Sequence, residues 1–586
     1  MDVSNMGESK LDNSNTEQTT NYQFEDFLKL SGSGLNQDWS WHLPEKFNIA
    51  RACVTRHVLE GNGSNAALIV EDQNLGTKQL SYQQLETQSA RLAAVFKQHK
   101  LEQGERVLIR LPNSTEYPVS FFGCLRYGAI AVPTSTLLAA SEVAYLASDS
   151  GAKILIAAKS MWQELSSLLN ENTQLKAIYL TGEGEMPELD ESSININETT
   201  TNLKLYDFDL LISQVEPSAE TFQSTPNDPA YLVYTSGTTG FPKGVLHAHR
   251  SLIGRLPASR YWFDFKSGDR IMHSGKFNWT YVLGSALMDP LFHGHTVIVH
   301  EGANDAATWP ELIKKHHCTI FIGVPTIYRQ IIQKTDFNAN DVPSLRHCMS
   351  AGEHLSDEML LAWRERFEMD VYEAIGMSEF SYYISQNKNN PIKPGAAGFA
   401  QPGHKIKLLD GEGNQVSAGE EGMIAIPESD PGLFLEYWQL TDETKKAKSD
   451  GYFLTGDFAK IDDDGYIWFL GRKDDIINTF GYRVSPHEIE RVIKTHPAVA
   501  DCVALGEEIE KDKVLVSICI IINLKFKLTE NELLEFGKNK LAKYKAPKIV
   551  HFCQDFPRTK NGKVLRKQML AELKQKRKIA ELRNET

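Results

Sequence analysis

Eleven consecutive residues, Tyr234-Thr-Ser-Gly-Thr-Thr-Gly-Phe-Pro-Lys-Gly244, concentrate the groups that bind polyphosphate. Thr235, Ser236, Thr238 and Thr239 supply hydroxyl donors, and Gly237, Gly240 and Gly244 let backbone N–H groups turn toward anionic oxygens. Lys243 adds a mobile point charge. The run Ala230-Tyr-Leu-Val-Tyr234 before it is apolar and β-prone, so the loop is expected to leave the end of a strand. A Walker A loop requires Lys followed directly by Ser or Thr, whereas Lys243 is followed by Gly244. A Ser/Thr/Gly surface loop accounts for any four of these residues but not for all of them in this order.

Four further segments carry polar residues in suggestive settings: Val371-Tyr-Glu-Ala-Ile-Gly-Met-Ser-Glu379, Gly451-Tyr-Phe-Leu-Thr-Gly-Asp-Phe458, Gly471-Arg-Lys-Asp-Asp-Ile-Ile-Asn478 and Pro557-Arg-Thr-Lys-Asn-Gly-Lys563. Singly, Glu379 reads equally well as a helix-side acid, and Lys563 as a solvated loop lysine. In this order after the glycine-hydroxyl loop, they resemble the signature elements of the adenylate-forming superfamily. That superfamily comprises acyl-CoA synthetases, the adenylation domains of peptide synthetases, and luciferases. The resemblance spans roughly 47–570.

The resemblance implies a role for each matching position. Thr235, Ser236, Gly237, Thr238, Thr239, Gly240 and Lys243 would hold the phosphates of ATP, and Gly352 and Glu353 of Met349-Ser-Ala-Gly-Glu353 would lie against the adenine. Glu373 would accept from the adenine amino group and Ser378, where the family has Thr, would contact the α-phosphate. Glu379, with Thr235, would hold Mg²⁺, which takes hard oxygen ligands. Asp457 would bind both ribose hydroxyls, and Arg472 ribose or phosphate. Asn478 and Arg483 complete the nucleotide set, and Gly481 between them would line the tunnel for the CoA thiol. Asn-Thr-Phe-Gly-Tyr-Arg is similar to acetyl- and medium-chain acyl-CoA synthetases more than to peptide-synthetase domains. Asp474 matches the hinge of the family, and Lys563 its catalytic lysine. His354 departs from the family, which often has Pro there.

The implied reaction has two steps. A carboxylate attacks the α-phosphorus of ATP to give acyl-adenylate and pyrophosphate, then CoA thiol displaces AMP as the small domain pivots at Asp474. The aromatic segment 276–281, with Trp279, and the glycine at Gly376 are expected to line the acid pocket. Domains that activate α-amino acids carry Asp where this chain has Asn278, and an amide does not offset a buried ammonium. Acetate-specific relatives have Trp where Gly376 stands, so the expected acid is larger than acetate, medium-chain or aromatic. Two other readings stay open: a stand-alone domain that loads a carrier protein, and a nucleotide-binding module without catalysis.

These groups need a large scaffold. At 586 residues the chain exceeds one hydrophobic core, and 41% hydrophobic with 24% charged residues is ordinary globular composition. A net charge of -14 argues against a nucleic-acid surface, and the longest apolar runs, such as 514–523, are far short of the ~20 residues of a membrane span. Seven scattered cysteines without metal-ligand spacing read as buried thiols, and with no secretion signal the expected location is cytoplasmic. The polar stretch 1–21 is expected to be a disordered tail. His247 and His249, two apart, make a metal site improbable and read as packing or surface residues. Asp462-Asp-Asp-Gly465 lacks the rest of a calcium loop and reads as a β-turn.

Strand-like 66–70, 106–111 and 129–133 alternate with helix-like 81–97, opened by a Ser81/Gln84 capping box, and 117–127, which predicts βαβ units. The run 245–249 is expected to continue into a helix, and Gly-, Glu- and Ser-rich 181–196 reads as a loop or an insertion between subdomains. Ser485 with Glu488 and Thr529 with Glu532 read as capping boxes that open helices. The fold class is thus α/β: a large domain, 22–473, of parallel βαβ-type subdomains plus a β-barrel-like segment; a hinge, 474–475; a small mobile α/β domain, 476–575; and a charged tail, 576–586. The sequence leaves the oligomeric state open.

Overall fold

The computed structural model describes Tyr22 and residues 24–31, 38–170, 173–187, 203–235, 242–352, 355–473, 475–479, 482–510, 513–523, 525–558 and 564–584. Two large mixed sheets are built from strands between Ala66 and Tyr437. One runs Glu436–Tyr437, Lys243–Ala248, Pro229–Thr235, Ile130–Pro133, Arg106–Arg110, Ile154–Ala158, Ala177–Thr181, Lys204–Asp207. The other runs Phe399–Ala400, Ser381–Ser385, Val371–Met377, His347–Ala351, Ile320–Gly323, Arg270–His273, Thr296–Glu301, Ala66–Asp72, Gly76–Ser81. Neighbours inside both sheets are parallel, and antiparallel strands are added only at edges.

The parallel strands are apolar throughout because both faces are covered. Val107 and Ile109 join Leu68, Val70, Val297 and Val299 of the other sheet in one core around the helices Tyr82–Gln98 and Glu116–Tyr127. The intervening Leu108 faces a separate outer cluster with Val143 and Leu146 of the helix Ala140–Ser150. The Ser81 box forms as the sequence predicts: Gln84 N donates to Ser81 Oγ at 3.1 Å and Ser81 N to Gln84 Oε1 at 2.8 Å. Leu85, Leu92, Val95 and Phe96 are the buried stripe of that helix.

Several expectations are corrected. The run after the glycine-hydroxyl loop, expected to pass into helix, is strand through Ala248, antiparallel to Pro229–Thr235, and helix begins only at Ser251. His247 and His249 are buried packing residues on it and just beyond. The loop expected over 181–196 starts after Thr181 and extends outside the described residues, but the strand Lys204–Asp207 and helix Phe208–Ser213 that follow were not foreseen. The β-barrel-like segment is a five-stranded antiparallel sheet containing Lys407–Leu409, Gly422–Pro427, Tyr452–Ile461, Lys448–Ser449 and Ile467–Arg472.

In the small domain, the sheet Val499–Glu510, Lys513–Ile522, Ile549–Phe552 packs against the helices Pro486–Lys494 and Glu530–Lys540. Thr529 and Glu532 form a full capping box, whereas Ser485 has only half of one. The Glu488 carboxylate is drawn instead to Lys545 at 2.7 Å. The helix Arg566–Asn584 runs across the expected boundary at 575 into the charged stretch. Six of the seven cysteines are buried and Cys553 is half-buried. Among the described residues no helix is long and apolar enough to cross a membrane.

Burial pushes His247, His249 and His273 down to about 3, and His347 to about 4, from an ordinary 6.5. The unfolded chain therefore binds more protons below pH 6.5, and stability rises with pH across that window. The urea midpoint is expected to fall steadily from about pH 7 toward pH 5; a flat profile would contradict the burial of these rings.

Candidate active site

The ends of three sheets meet where the sequence places its chemistry. Thr235 ends its strand directly opposite Lys243, so the two form the stem of a hairpin whose connecting residues, 236–241, lie outside the described residues. Ser236, Gly237, Thr238, Thr239 and Gly240 are among those, and their expected phosphate contacts are left to sequence. The stem is fixed from one side by the helix Ala140–Ser150, through Tyr234 OH to Asp149 Oδ2 at 2.6 Å and Tyr145 OH to the Pro242 carbonyl at 3.2 Å. From the other side Glu436–Tyr437 pairs with it, Val245 opposite Tyr437. Lys243, half-buried, is ion-paired with Glu443 of the helix Thr441–Lys446, and its ammonium lies 5.9 Å from the Tyr437 ring centroid.

The turn after Val371–Met377 carries Ser378 and Glu379, so Glu379 is not on a helix. His247 Nε2 binds the Ser378 carbonyl at 2.8 Å and Phe434 N donates to the Glu379 carbonyl at 2.8 Å, which seats the turn against the hairpin. Tyr437 OH donates to Glu379 Oε1 at 2.9 Å. Earlier in the strand, buried Glu373 accepts from Leu355 N at 2.6 Å and so lies under the turn that contains Gly352. Gly352 has φ +99°, which favours glycine, and a Cβ there would lie 3.5 Å from the Trp279 ring. The expected adenine turn and the expected acid-pocket wall are thus in contact. Glu353 and His354 lie outside the described residues.

Gly376 has a different reason for being glycine than pocket volume. A Cβ would lie 2.4 Å from the Ser381 carbonyl oxygen, because the strands bulge between Ile375 and Gly376 and Ser381 turns back at φ +71°. A side chain at 376 meets the neighbouring strand's backbone, so acetate selectivity cannot be read from this glycine.

Asp457, buried, and Arg472 stand opposite one another on antiparallel strands, Nε to Oδ1 at 3.3 Å. The buried Tyr383 phenol is pushed well above the ordinary range by burial and then by the charge of Asp457, with Arg472 opposing and Glu379 adding. The charges of Glu379, Asp457 and Arg472, which the sequence placed in three separate motifs, thus all act on one buried phenol. Asn478 and Arg483 are backbone register partners on the paired strands Ile477–Thr479 and Tyr482–Val484. Asp474, Gly481 and Lys563 lie outside the described residues, so the hinge, thiol tunnel and catalytic lysine are not placed by it.

Sequence reasoning missed three positioning groups: Tyr437, Glu443 and Asn113. Asn113 accepts from Phe277 N at 3.0 Å and donates to the Gly275 and His300 carbonyls at 2.9 and 3.1 Å, and Tyr117 stacks on Phe277, so the segment leading to Trp279 is held from the opposite sheet. None has a local signal; each acts through a partner distant in sequence.

The AMP-binding enzyme family matches residues 56–438, and the AMP-binding enzyme C-terminal domain matches 488–563. The chain belongs to that family, and the kind of enzyme it defines is the AMP-forming acid–thiol ligase. Acyl-coenzyme A synthetase ACSM3, mitochondrial, from Mus musculus is 30% identical over 553 residues, 91% of this chain and 92% of its own. The 3-hydroxybenzoate–CoA/4-hydroxybenzoate–CoA ligase of Thauera aromatica is 29% identical over 527 residues, 89% of this chain and 96% of its own. The crystal structure of the anthranilate CoA ligase AuaEII with anthranoyl-AMP is similar at TM-score 0.79 and 28% identity, covering 90% of this chain and 98% of that one.

Tyr437→Phe keeps the ring and removes the donor to Glu379. The Mg²⁺ concentration giving half-maximal pyrophosphate release is expected to rise about tenfold, in line with the loss of an outer-shell partner, and titration of Mn²⁺ binding by electron paramagnetic resonance should weaken in parallel. Unchanged curves in both would contradict the positioning role.

Proposed function

We propose that this chain joins a carboxylic acid larger than acetate, medium-chain or aromatic, to CoA through an acyl-adenylate. The observation that carries the reading is the seating of Glu379, through Tyr437, against the hairpin whose stem is Thr235 and Lys243, with Asp457 and Arg472 paired opposite one another on antiparallel strands. Asp457 accepts from both ribose hydroxyls, Arg472 turns from Asp457 toward ribose or phosphate, and the purine lies against the Gly352 turn, with Glu373 beneath it. Lys243 leaves Glu443 for the phosphates. The exchange is cheap because Lys243 and Arg472 are both partly solvent-exposed, and such pairs contribute only about 0–1 kcal/mol.

The donor set suits Mg²⁺: the Glu379 carboxylate has one oxygen engaged by Tyr437 and, among the described residues, no cation on the other, and Thr235 stands at the stem. When bound, the ion neutralises phosphate charge. The substrate carboxylate oxygen bonds to the α-phosphorus as the bond to pyrophosphate breaks, with Lys563 stabilising the surrounding oxygens. Thiolate sulfur then bonds to the acyl carbon and AMP leaves with the carboxylate oxygen.

Asn278 and the names of the relatives support the acid class; Gly376 no longer does. The relatives, named as CoA synthetases and CoA ligases, support free CoA over a carrier protein as acceptor. A cytoplasmic location belongs to the same reading, supported by free, mostly buried thiols.

A pyrophosphate-release screen over straight-chain, cyclic and aromatic acids with CoA present should give thioester and AMP with at least one acid larger than acetate. Release with no acid at all would overturn the reading. Lys563→Ala is expected to lower adenylation at least about 100-fold while thioester formation from supplied acyl-adenylate survives within about threefold; equal loss of both would contradict the role given to Lys563.

A further inference from the structure

A carboxylate is buried in the core of the small domain where the helix Pro486–Lys494 should present an apolar face. Glu490 is 7% exposed and lies among Pro486, Ile489 and Ile493, the other buried positions of that helix. A carboxylate so placed is costly unless paired and hydrogen-bonded. Its Oε1 accepts from Arg566 Nη1 at 2.6 Å and from Ala504 N at 2.8 Å, and His487 Nδ1 lies 3.4 Å from Oε2. Burial would raise this carboxyl, but the Arg566 guanidinium and then His487 hold it far below the usual carboxylate range. Arg566 also donates to the Ala504 carbonyl at 2.9 Å. The pair thus satisfies both backbone polar groups of Ala504 on the outer edge of Val499–Glu510.

Arg566 opens the helix Arg566–Asn584 immediately after a closed stem. Arg558 and Val564 form an antiparallel bridge, and Leu565 N donates to the Pro557 carbonyl at 2.8 Å. The other arm of the stem is held on the same strand, by Arg558 Nη2 to Asp501 Oδ2 at 2.9 Å, with Lys494 on the other oxygen at 2.8 Å. Two guanidiniums therefore clamp the two arms to one strand, and the chain between the arms contains Lys563, one residue before the bridge.

We propose that Glu490 and Arg566 are positioning residues for Lys563, fixing the stem on the small domain so that its ammonium reaches the α-phosphate at a set distance. The proposal rests on the ligase reading above. An ion pair that served stability alone would be replaceable by apolar groups, whereas one that sets position shows in a single half-reaction.

The test uses the full chain, with benzoate and octanoate as probes for adenylation and their synthetic adenylates plus CoA for thioester formation. Arg566→Met is expected to lower acid-dependent pyrophosphate release about 100-fold, as a misplacement near 1 Å does. KM for ATP and thioester formation from adenylate should stay within about threefold. Glu490→Gln, which keeps the acceptor for Ala504 N, is expected to show the same split at about tenfold. Arg566→Lys should recover part of the lost rate, and it carries the test if Arg566→Met does not fold. Parallel loss in both half-reactions with a lowered Tm, or full adenylation by a folded Arg566→Met, overturns the proposal. Wild-type enzyme that releases no pyrophosphate overturns it together with the ligase reading.

Discussion

Tyr437 is the constraint on which the site depends. Its backbone pairs with Val245 and so adds the edge strand of one large sheet, while its hydroxyl fixes Glu379 at the end of the other. Its own N–H is taken by Thr444 at 2.9 Å, in the same short helix that supplies Glu443 to Lys243. Strand pairing sets the residue to within a fraction of an ångström, and the phenol converts that precision into the orientation of a carboxylate. Without this junction the hairpin stem and the acidic turn would be loop ends on separate sheets.

The polar groups fall into two energetic classes. Lys243–Glu443 and Arg472–Asp457 are partly exposed pairs in which each cation already has a carboxylate, so under the proposed function phosphates and ribose would replace a partner of similar strength rather than enter a field of unpaired charge. Glu490–Arg566 and the fully buried Arg255–Asp289 pair, at 2.9 Å, belong to the other class, because removing one partner leaves a desolvated charge.

What was legible in the sequence was local. The Ser81 and Thr529 boxes, the apolar strands and the order of motifs depend on residues a few positions apart, and the structure has them as expected. Gly352, singled out by resemblance to a family turn, stands at φ +99°, which favours glycine. What was not legible was register. Lys243 and Glu443 are separated by 200 positions, and nothing in either segment encodes their pairing. Gly376 shows the same limit from the other side: its small size reads as pocket volume, whereas a bulge brings the Ser381 backbone against it. The strand at 243–248 was mistaken because its length and apolar content suit helix and strand alike, and only the partner at 229–235 decides between them.

The central claim is that groups from four distant segments form one nucleotide site. A crystal structure of the full chain with α,β-methylene-ATP and Mg²⁺ tests it most directly. The account predicts both ribose hydroxyls within hydrogen-bonding distance of Asp457, the purine against the Gly352 turn, and Lys243 released from Glu443 onto the phosphates. A nucleotide bound elsewhere, with the Asp457–Arg472 and Lys243–Glu443 pairs undisturbed, would contradict it.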